Sequence, residues 1–443
     1  MEIINFDKSS GQLKKDGEYM YSILTELFPY NRSITGDGVR KTFDVLKREL
    51  KLLTTTEISS GTKCFDWTAP QEWKVKEAYI IAPDGTKVVD FKEHNLHLVG
   101  YSISIDKIVT LDELQEHLHS LPDQPNAIPY ITSYYKKYWG FCLSDYQRKD
   151  LKDGNYRVYI DSEHFNGTLT YGELVLPGET EQEVFFSTYI CHPSMANNEL
   201  SGPTVLLGLA KWLASIKHRK YTYRFLFIPE TIGSIAYLSK NLKNMKKNIL
   251  LGYNISCVGD DDNYSFIPSR QGNTISDRLL KSILKYETDE FKEYSYLERG
   301  SDERQYCSPG VDLPIATFCR SKFCEYPEYH TSLDDLSFVS RKGLATSLLL
   351  LKKTVYSFEN NYKVVAVNKC EPHLSKYNLY PTISTKKSTE TVMDLMNFLA
   401  YADGRSILDI SEKINLSVLK CIDIFKILQK KNLIASAPSV SEK

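Results

Sequence analysis

The stretch CHPSMANNELSGP, residues 191–203, places His192 directly after an apolar run, with Asn198 and Glu199 a short turn further on. Glu230 closes the apolar run YRFLFIP, and Tyr329 and His330 stand together in EYPEYHTSLDDL. A fourth polar cluster, Ser301-Asp302-Glu303-Arg304, follows LERG. Any one of these alone reads as a polar residue at a solvated strand end. Two imidazoles, a glutamate and an aspartate converging on one sheet edge would suit a metal, because imidazole and carboxylate are the usual zinc ligands. A catalytic zinc takes about three protein ligands and keeps one position open. It also requires a nearby carboxylate to accept a proton.

The elements around these residues predict where they meet. Residues 17–51 carry two helical patterns, with Tyr21, Leu24, Leu27 and Phe28 in the first and Val39, Phe43, Leu46 and Leu50 in the second. Residues 58–152 are broken into short runs such as AYIIAP and HLVGYSISI by turn signals such as PDGT, which predicts a β-rich inserted domain. From about 153 to 380 strands alternate with helices: YRVYIDSEHF, TLTYGELVLPG, VFFSTYIC, YRFLFIP, NILLGYNISCVG and LPIATFCR read as strands. That alternation predicts an α/β fold, a mixed and mostly parallel sheet flanked by helices. In such sheets ligands bind beyond the carboxyl ends of the strands, where His192 and Glu230 fall. The tail, 381–443, reads as three short amphipathic helices in a winged-helix-like unit.

Composition excludes several classes. The net charge is −1, which argues against a chain-wide field for nucleic acid or membrane. No apolar run reaches about 18 residues, and the N-terminal stretch lacks the basic and apolar regions of a signal peptide. The nine cysteines are scattered without a CxxC pair, as expected of reduced thiols in a cytoplasmic protein. Lys420, Lys426, Lys430 and Lys431 lie on the last helix with Asp423 among them, and docking to a protein surface is expected there rather than DNA binding. Asp260–Asp262 lacks the alternation of a calcium loop and reads as a solvated turn.

NRSITGDG, ICHPSMANNELSGP, FIPETIGSIAYL, SCVGDDD, GSDERQYCSPGVDLPI and EYPEYHTSLDDL together resemble the zinc aminopeptidase-like family, specifically bacterial proteins associated with polysaccharide biosynthesis. The resemblance implies an aminopeptidase-like α/β domain over 1–57 and 153–380, the inserted β-rich domain and a C-terminal winged helix. It implies that His192 and His330 are metal ligands, with Glu230 as third ligand or as base and Tyr329 as a catalytic partner. Asn198 stands where the family places a bridging carboxylate, Thr231 where it places a second glutamate, and Ser256 where it places an aspartate. A neutral amide brings no charge to bridge two cations, so one zinc ion is expected rather than two. Glu199 or Asp302 could complete the ligand set. If Glu230 is a ligand, the base falls to Glu303 or Glu199. Asp302, Glu303 and Arg304 are expected on the substrate side, while Arg32 and Arg304 could either grip an anionic substrate or brace the loops. The implied activity is hydrolysis of an amide bond in a small-molecule, peptide or sugar-linked substrate. The alternative is a binding or scaffold protein that keeps the fold. A homo-oligomer or protein partner is expected through the C-terminal unit, and neither membrane nor nucleic acid is.

Overall fold

Four strands without solvent-facing positions form the middle of the molecule. The computed structural model describes residues 9–380 and 385–438. Glu183–Tyr189 and Ile249–Ile255 are buried at every position, as strands covered on both faces must be. They run parallel with Thr222–Ile228 and Ile315–Cys319 in the order 222–228, 183–189, 249–255, 315–319. Further strands extend the sheet on both sides: Thr168–Leu176 and then Thr54–Ser59, both paired antiparallel, at one edge, and at the other Tyr264–Ile267, antiparallel to its central neighbour, and then Phe291–Glu293, parallel to Tyr264–Ile267. The helices Ser201–Ala214 and Ile232–Asn248 link successive central strands, as parallel neighbours need a crossover connection. No helix among the described residues is long and apolar enough to cross a membrane.

The β-rich insert departs from the expected 58–152 mainly at its C-terminal end, and by two residues at its N-terminal end. Asn155–Phe165, placed by its position in the α/β part, pairs antiparallel with Glu72–Ile81 and Ile105–Thr110 in a separate four-stranded sheet. Thr54–Ser59, meanwhile, belongs to the edge of the main sheet. The reason is visible in the burial pattern. Tyr156, Val158 and Ile160 are buried while Asn155, Arg157 and Glu163 are exposed, the alternation of an antiparallel strand with one wet face. The insert's apolar core joins the main sheet through Phe185, Leu226 and Ile228.

The tail is not all helical. Asp403–Ser406 and Ile434–Pro438 both pair with Tyr362–Ala366, so the unit begins before residue 381 and carries a three-stranded wing. Residues 381–384 of the expected boundary lie outside the described residues. The helix Val418–Lys430 turns toward the α/β part, where Lys426 bonds the Tyr356 hydroxyl. Arg278 pairs with Asp409 at 2.5 Å and Glu412 at 2.5 Å, fixing the same docking from the other side.

Candidate active site

All the strand ends singled out in the sequence reach one corner of the main sheet. His192 lies three residues beyond Glu183–Tyr189, Glu230 two beyond Thr222–Ile228, and Ser256 one beyond Ile249–Ile255. The backbone around each is strained. Ser194, Thr231, Cys257 and His330 have φ of 48°, 64°, 53° and 55°. Left-handed backbone is uncommon for residues with a Cβ and an outlier for a β-branched threonine. Four such positions around one corner are the kind of strain that gathers at functional sites. A π-turn, Ala196–Leu200, continues the pattern.

Glu199 sits on that turn and is fully buried. Its Oε2 lies 2.6 Å from His192 Nδ1, and its Oε1 is 3.9 Å from the buried Arg32 Nε. Arg32 also donates to the His192 carbonyl at 3.0 Å and the Leu27 carbonyl at 2.6 Å, so it braces the loop instead of facing a substrate. Burial pushes the guanidinium down to about 10, against the pull of Glu199, and it remains charged at neutral pH. With Nδ1 held, His192 presents Nε2 to Glu230, whose Oε2 is 3.7 Å away. The His330 ring lies 5.3 Å from the His192 ring, and Tyr329 stacks on His330 at 3.9 Å. Burial drives His330 down to about 3 and so keeps it neutral. Burial likewise raises Glu230 above the ordinary glutamate value, although its side chain keeps 22% exposure and His192, Ser301 and Arg304 oppose the rise. Tyr329 remains a protonated donor because burial, then Cys324 and Glu230, raise its hydroxyl far above the usual range.

The Ser-Asp-Glu-Arg stretch divides. Glu303 is fully buried and spends its carboxylate on the loop, accepting from Gly300 N at 2.7 Å, Ser301 N at 2.9 Å, Thr317 Oγ1 at 3.1 Å and Asn254 Nδ2 at 3.2 Å. It faces no open space, so neither a substrate contact nor a base is available from it. Asp302, also fully buried, accepts from Thr231 N and Ser234 Oγ, both at 2.8 Å. Burial and the neighbouring Glu230 carry it up to about 8. Arg304 alone is exposed, donating to Ser301 O at 3.0 Å and Thr231 Oγ1 at 2.9 Å. Asp260 is not in a solvated turn. It is buried, bonded to Asn197 Nδ2 at 2.9 Å and Ser321 Oγ at 3.0 Å.

The residues present could hold a zinc at His192 with Glu230 facing it. Two ligands of a tetrahedral zinc stand about 3.3 Å apart, close to the His192–Glu230 separation. A carboxylate on the far nitrogen of a ligating histidine is the usual support for one, and Glu199 supplies it. At the positions where the resemblance expects a bridging carboxylate and an aspartate, Asn198 Nδ2 donates to Tyr189 OH at 2.8 Å, and that hydroxyl meets Ser256 Oγ at 2.5 Å. These groups offer no charge, and the buried Asn198 Oδ1 has no hydrogen-bond partner among the described residues. Among the described residues, only Cys191, His192 and Glu199 gather three ligand-type atoms within 4.8 Å of one another, and His330 does not close such a group with His192 and Glu230. That cluster is already closed: Nδ1 is bonded to Glu199, and Cys191 Sγ accepts from Glu230 N at 3.2 Å. Burial also pushes the Cys191 thiol up to about 11, keeping its proton in place.

Two residues that position the site were missed by the sequence reading. Tyr130, from the insert, sets its ring edge-on 5.1 Å from each imidazole. Asp334 accepts from Asn197 N at 2.6 Å and Asn198 N at 2.8 Å, fastening the π-turn. Asp334→Asn would turn an amide donor toward one of these N–H groups. It is expected to destabilise the fold by about 1–3 kcal/mol in urea unfolding, the cost of an unmet buried donor. An unchanged midpoint would show that the turn does not depend on Asp334.

Residues 21–361 match the family described as a domain of unknown function, DUF4910, and residues 362–436 match a winged helix-turn-helix family. A Clostridium acetobutylicum protein named for polysaccharide biosynthesis and an aminopeptidase-like domain is 44% identical over 384 residues, 86% of this chain and 87% of that protein. A crystal structure from Clostridium acetobutylicum, described as that of a peptidase, superposes with a TM-score of 0.90 at 39% identity, covering 96% of this chain and 98% of the other. BSAP, a zinc aminopeptidase from Bacillus subtilis, superposes with a TM-score of 0.56 at 15% identity over 77% of this chain and 94% of its own, a likeness of fold alone. The chain belongs to the DUF4910 family, with an aminopeptidase-like α/β fold and a C-terminal winged helix.

Proposed function

We propose that the protein is a one-metal hydrolase of amide bonds, acting on an aminoacyl or N-acyl sugar or a peptide in surface-polysaccharide biosynthesis. The observation that carries this reading is the facing pair His192 Nε2 and Glu230 Oε2, 3.7 Å apart, with His192 fixed from behind by Glu199. His192 and His330 would hold the ion with Glu230 facing it as the base, and a zinc there would supply Lewis-acid polarisation of the amide carbonyl. The protein's own groups do the rest. Glu230 is partly exposed, and the burial that raises its pKa makes its carboxylate a better proton acceptor. Tyr329, held protonated, can donate to negative charge developing on the carbonyl oxygen. Arg304 is exposed beside Thr231, next to Glu230, where an anionic part of a substrate would meet it. The polysaccharide context rests on the name of the Clostridium acetobutylicum relative.

A screen of aminoacyl, peptide and N-acyl-sugar substrates tests this. Release is expected to stop after chelation and return with a single equivalent of zinc. Activity that persists without metal would end the one-metal reading. A second reading, a binding protein with a retired site, is favoured by Asn198 and Ser256, whose neutral groups stand where the resemblance expects carboxylates and bond to Tyr189 instead. It takes over if no substrate in the screen is turned over with zinc present and the purified protein holds none.

A further inference from the structure

We infer that the β-rich insert is a clamp on the candidate site, and that Asn95 and Tyr130 are its positioning residues. The insert reaches the site at two separate places, and each contact falls on a histidine loop. Asn95 Nδ2 donates to Ser194 Oγ at 2.8 Å and to the Pro29 carbonyl at 3.1 Å. Ser194 is the left-handed residue two positions after His192. On the other side Tyr130 N donates to the carbonyl of His330, itself left-handed, at 2.9 Å. The neighbouring residues turn this into a short ribbon. Ser332 N donates to Ile128 O at 2.9 Å, Ile128 N to Ser332 Oγ at 3.0 Å, and Gln124 Nε2 to Pro327 O at 3.0 Å.

The physical case follows from strain. A non-glycine residue in left-handed backbone costs of order 1–3 kcal/mol and persists only where its surroundings over-determine it. For Ser194 and His330 part of that determination comes from the insert. The Tyr130 ring then fills the space beside both imidazoles, and its hydroxyl is tied 3.1 Å from that of Tyr134, which lies edge-on to Tyr101 at 5.0 Å. Tyr101 stacks on Trp73 of the insert's main sheet at 5.5 Å. A continuous aromatic column therefore runs from the body of the insert to the histidine pair. The insert does more than decorate the fold: it sets the spacing of His192 and His330. The inference rests on these two histidines being the working pair of the proposed site, and not on which substrate is cut.

Tyr130→Ala, Tyr130→Phe and Asn95→Ala in the full chain test it, with two readouts. Zinc affinity, measured by competition with a chromophoric chelator, is expected to weaken about 10- to 100-fold in Tyr130→Ala, the usual effect of removing a group that orients a ligand. Tyr130→Phe, which keeps the ring and the N–H, should stay near wild type. Carbethoxylation of histidines, mapped by mass spectrometry, is expected to speed up at His330 in Tyr130→Ala and at His192 in Asn95→Ala. The second readout needs no metal. If wild-type protein binds no zinc, the one-metal reading fails while the clamp is still decided by labelling. Should Tyr130→Ala not fold, Asn95→Ala decides alone. Wild-type labelling and zinc affinity in the variants that fold would overturn the clamp, and so would a Tyr130→Phe variant as impaired as Tyr130→Ala.

Discussion

Glu230→Gln is expected to lower turnover by about 100- to 10,000-fold, the range typical for loss of general acid–base action. The change keeps the side-chain volume and removes the charge and the proton-accepting oxygen. Glu230 is the one acidic residue of the corner that ends a central parallel strand, keeps contact with solvent and faces His192. Asp302 and Glu303 are fully buried and engaged with backbone. Glu199 is committed to His192 Nδ1. A substrate found in the screen would be followed by initial rates of the variant at saturating substrate. Turnover within a few-fold of wild type would remove Glu230 from the reaction.

Glu199→Gln should cost about 3–5 kcal/mol of stability, because it leaves the Arg32 guanidinium buried without a countercharge. Arg32 has only 1% of its surface exposed, and its Nη2 has no hydrogen-bond partner among the described residues. The glutamate carboxylate is the only anionic group shown beside it. Replacing both residues by apolar ones, Arg32→Met with Glu199→Leu, is expected to recover much of the loss, since a well-packed apolar pair often matches a buried ion pair. Urea unfolding of the single and double variants measures this. A single variant as stable as wild type would mean that Arg32 is satisfied by the Leu27 and His192 carbonyls alone.

Much of the site was legible because strand ends are. The parallel strands are unbroken apolar runs, and the residues just past them, His192 and Glu230, fall at the carboxyl edge by topology. The ends of the insert were not legible by position. The alternation in NYRVYIDSEHF marks a half-wet antiparallel strand, whereas VFFSTY is covered on both faces, and that contrast separates the two sheets. The place of Glu199 depends on a π-turn, which shifts the side chains from α-helical spacing and has no pattern of its own. Tyr130 reaches His330 across a sequence separation of about 200 residues, where no local signal connects them. The resemblance puts Glu303 on the substrate side or in the place of a base, but only the fold shows that the Gly300 and Ser301 N–H groups consume it.

The most direct test of a one-metal site is anomalous diffraction at the zinc edge from crystals grown with zinc in excess. The account predicts a single strong peak bounded by His192 Nε2 and His330 and facing Glu230, with Glu199 still on His192 Nδ1, and no peak beside Asn198 and Ser256. Two peaks with one next to Asn198, or a lone peak on Cys191 and Glu199, would contradict it.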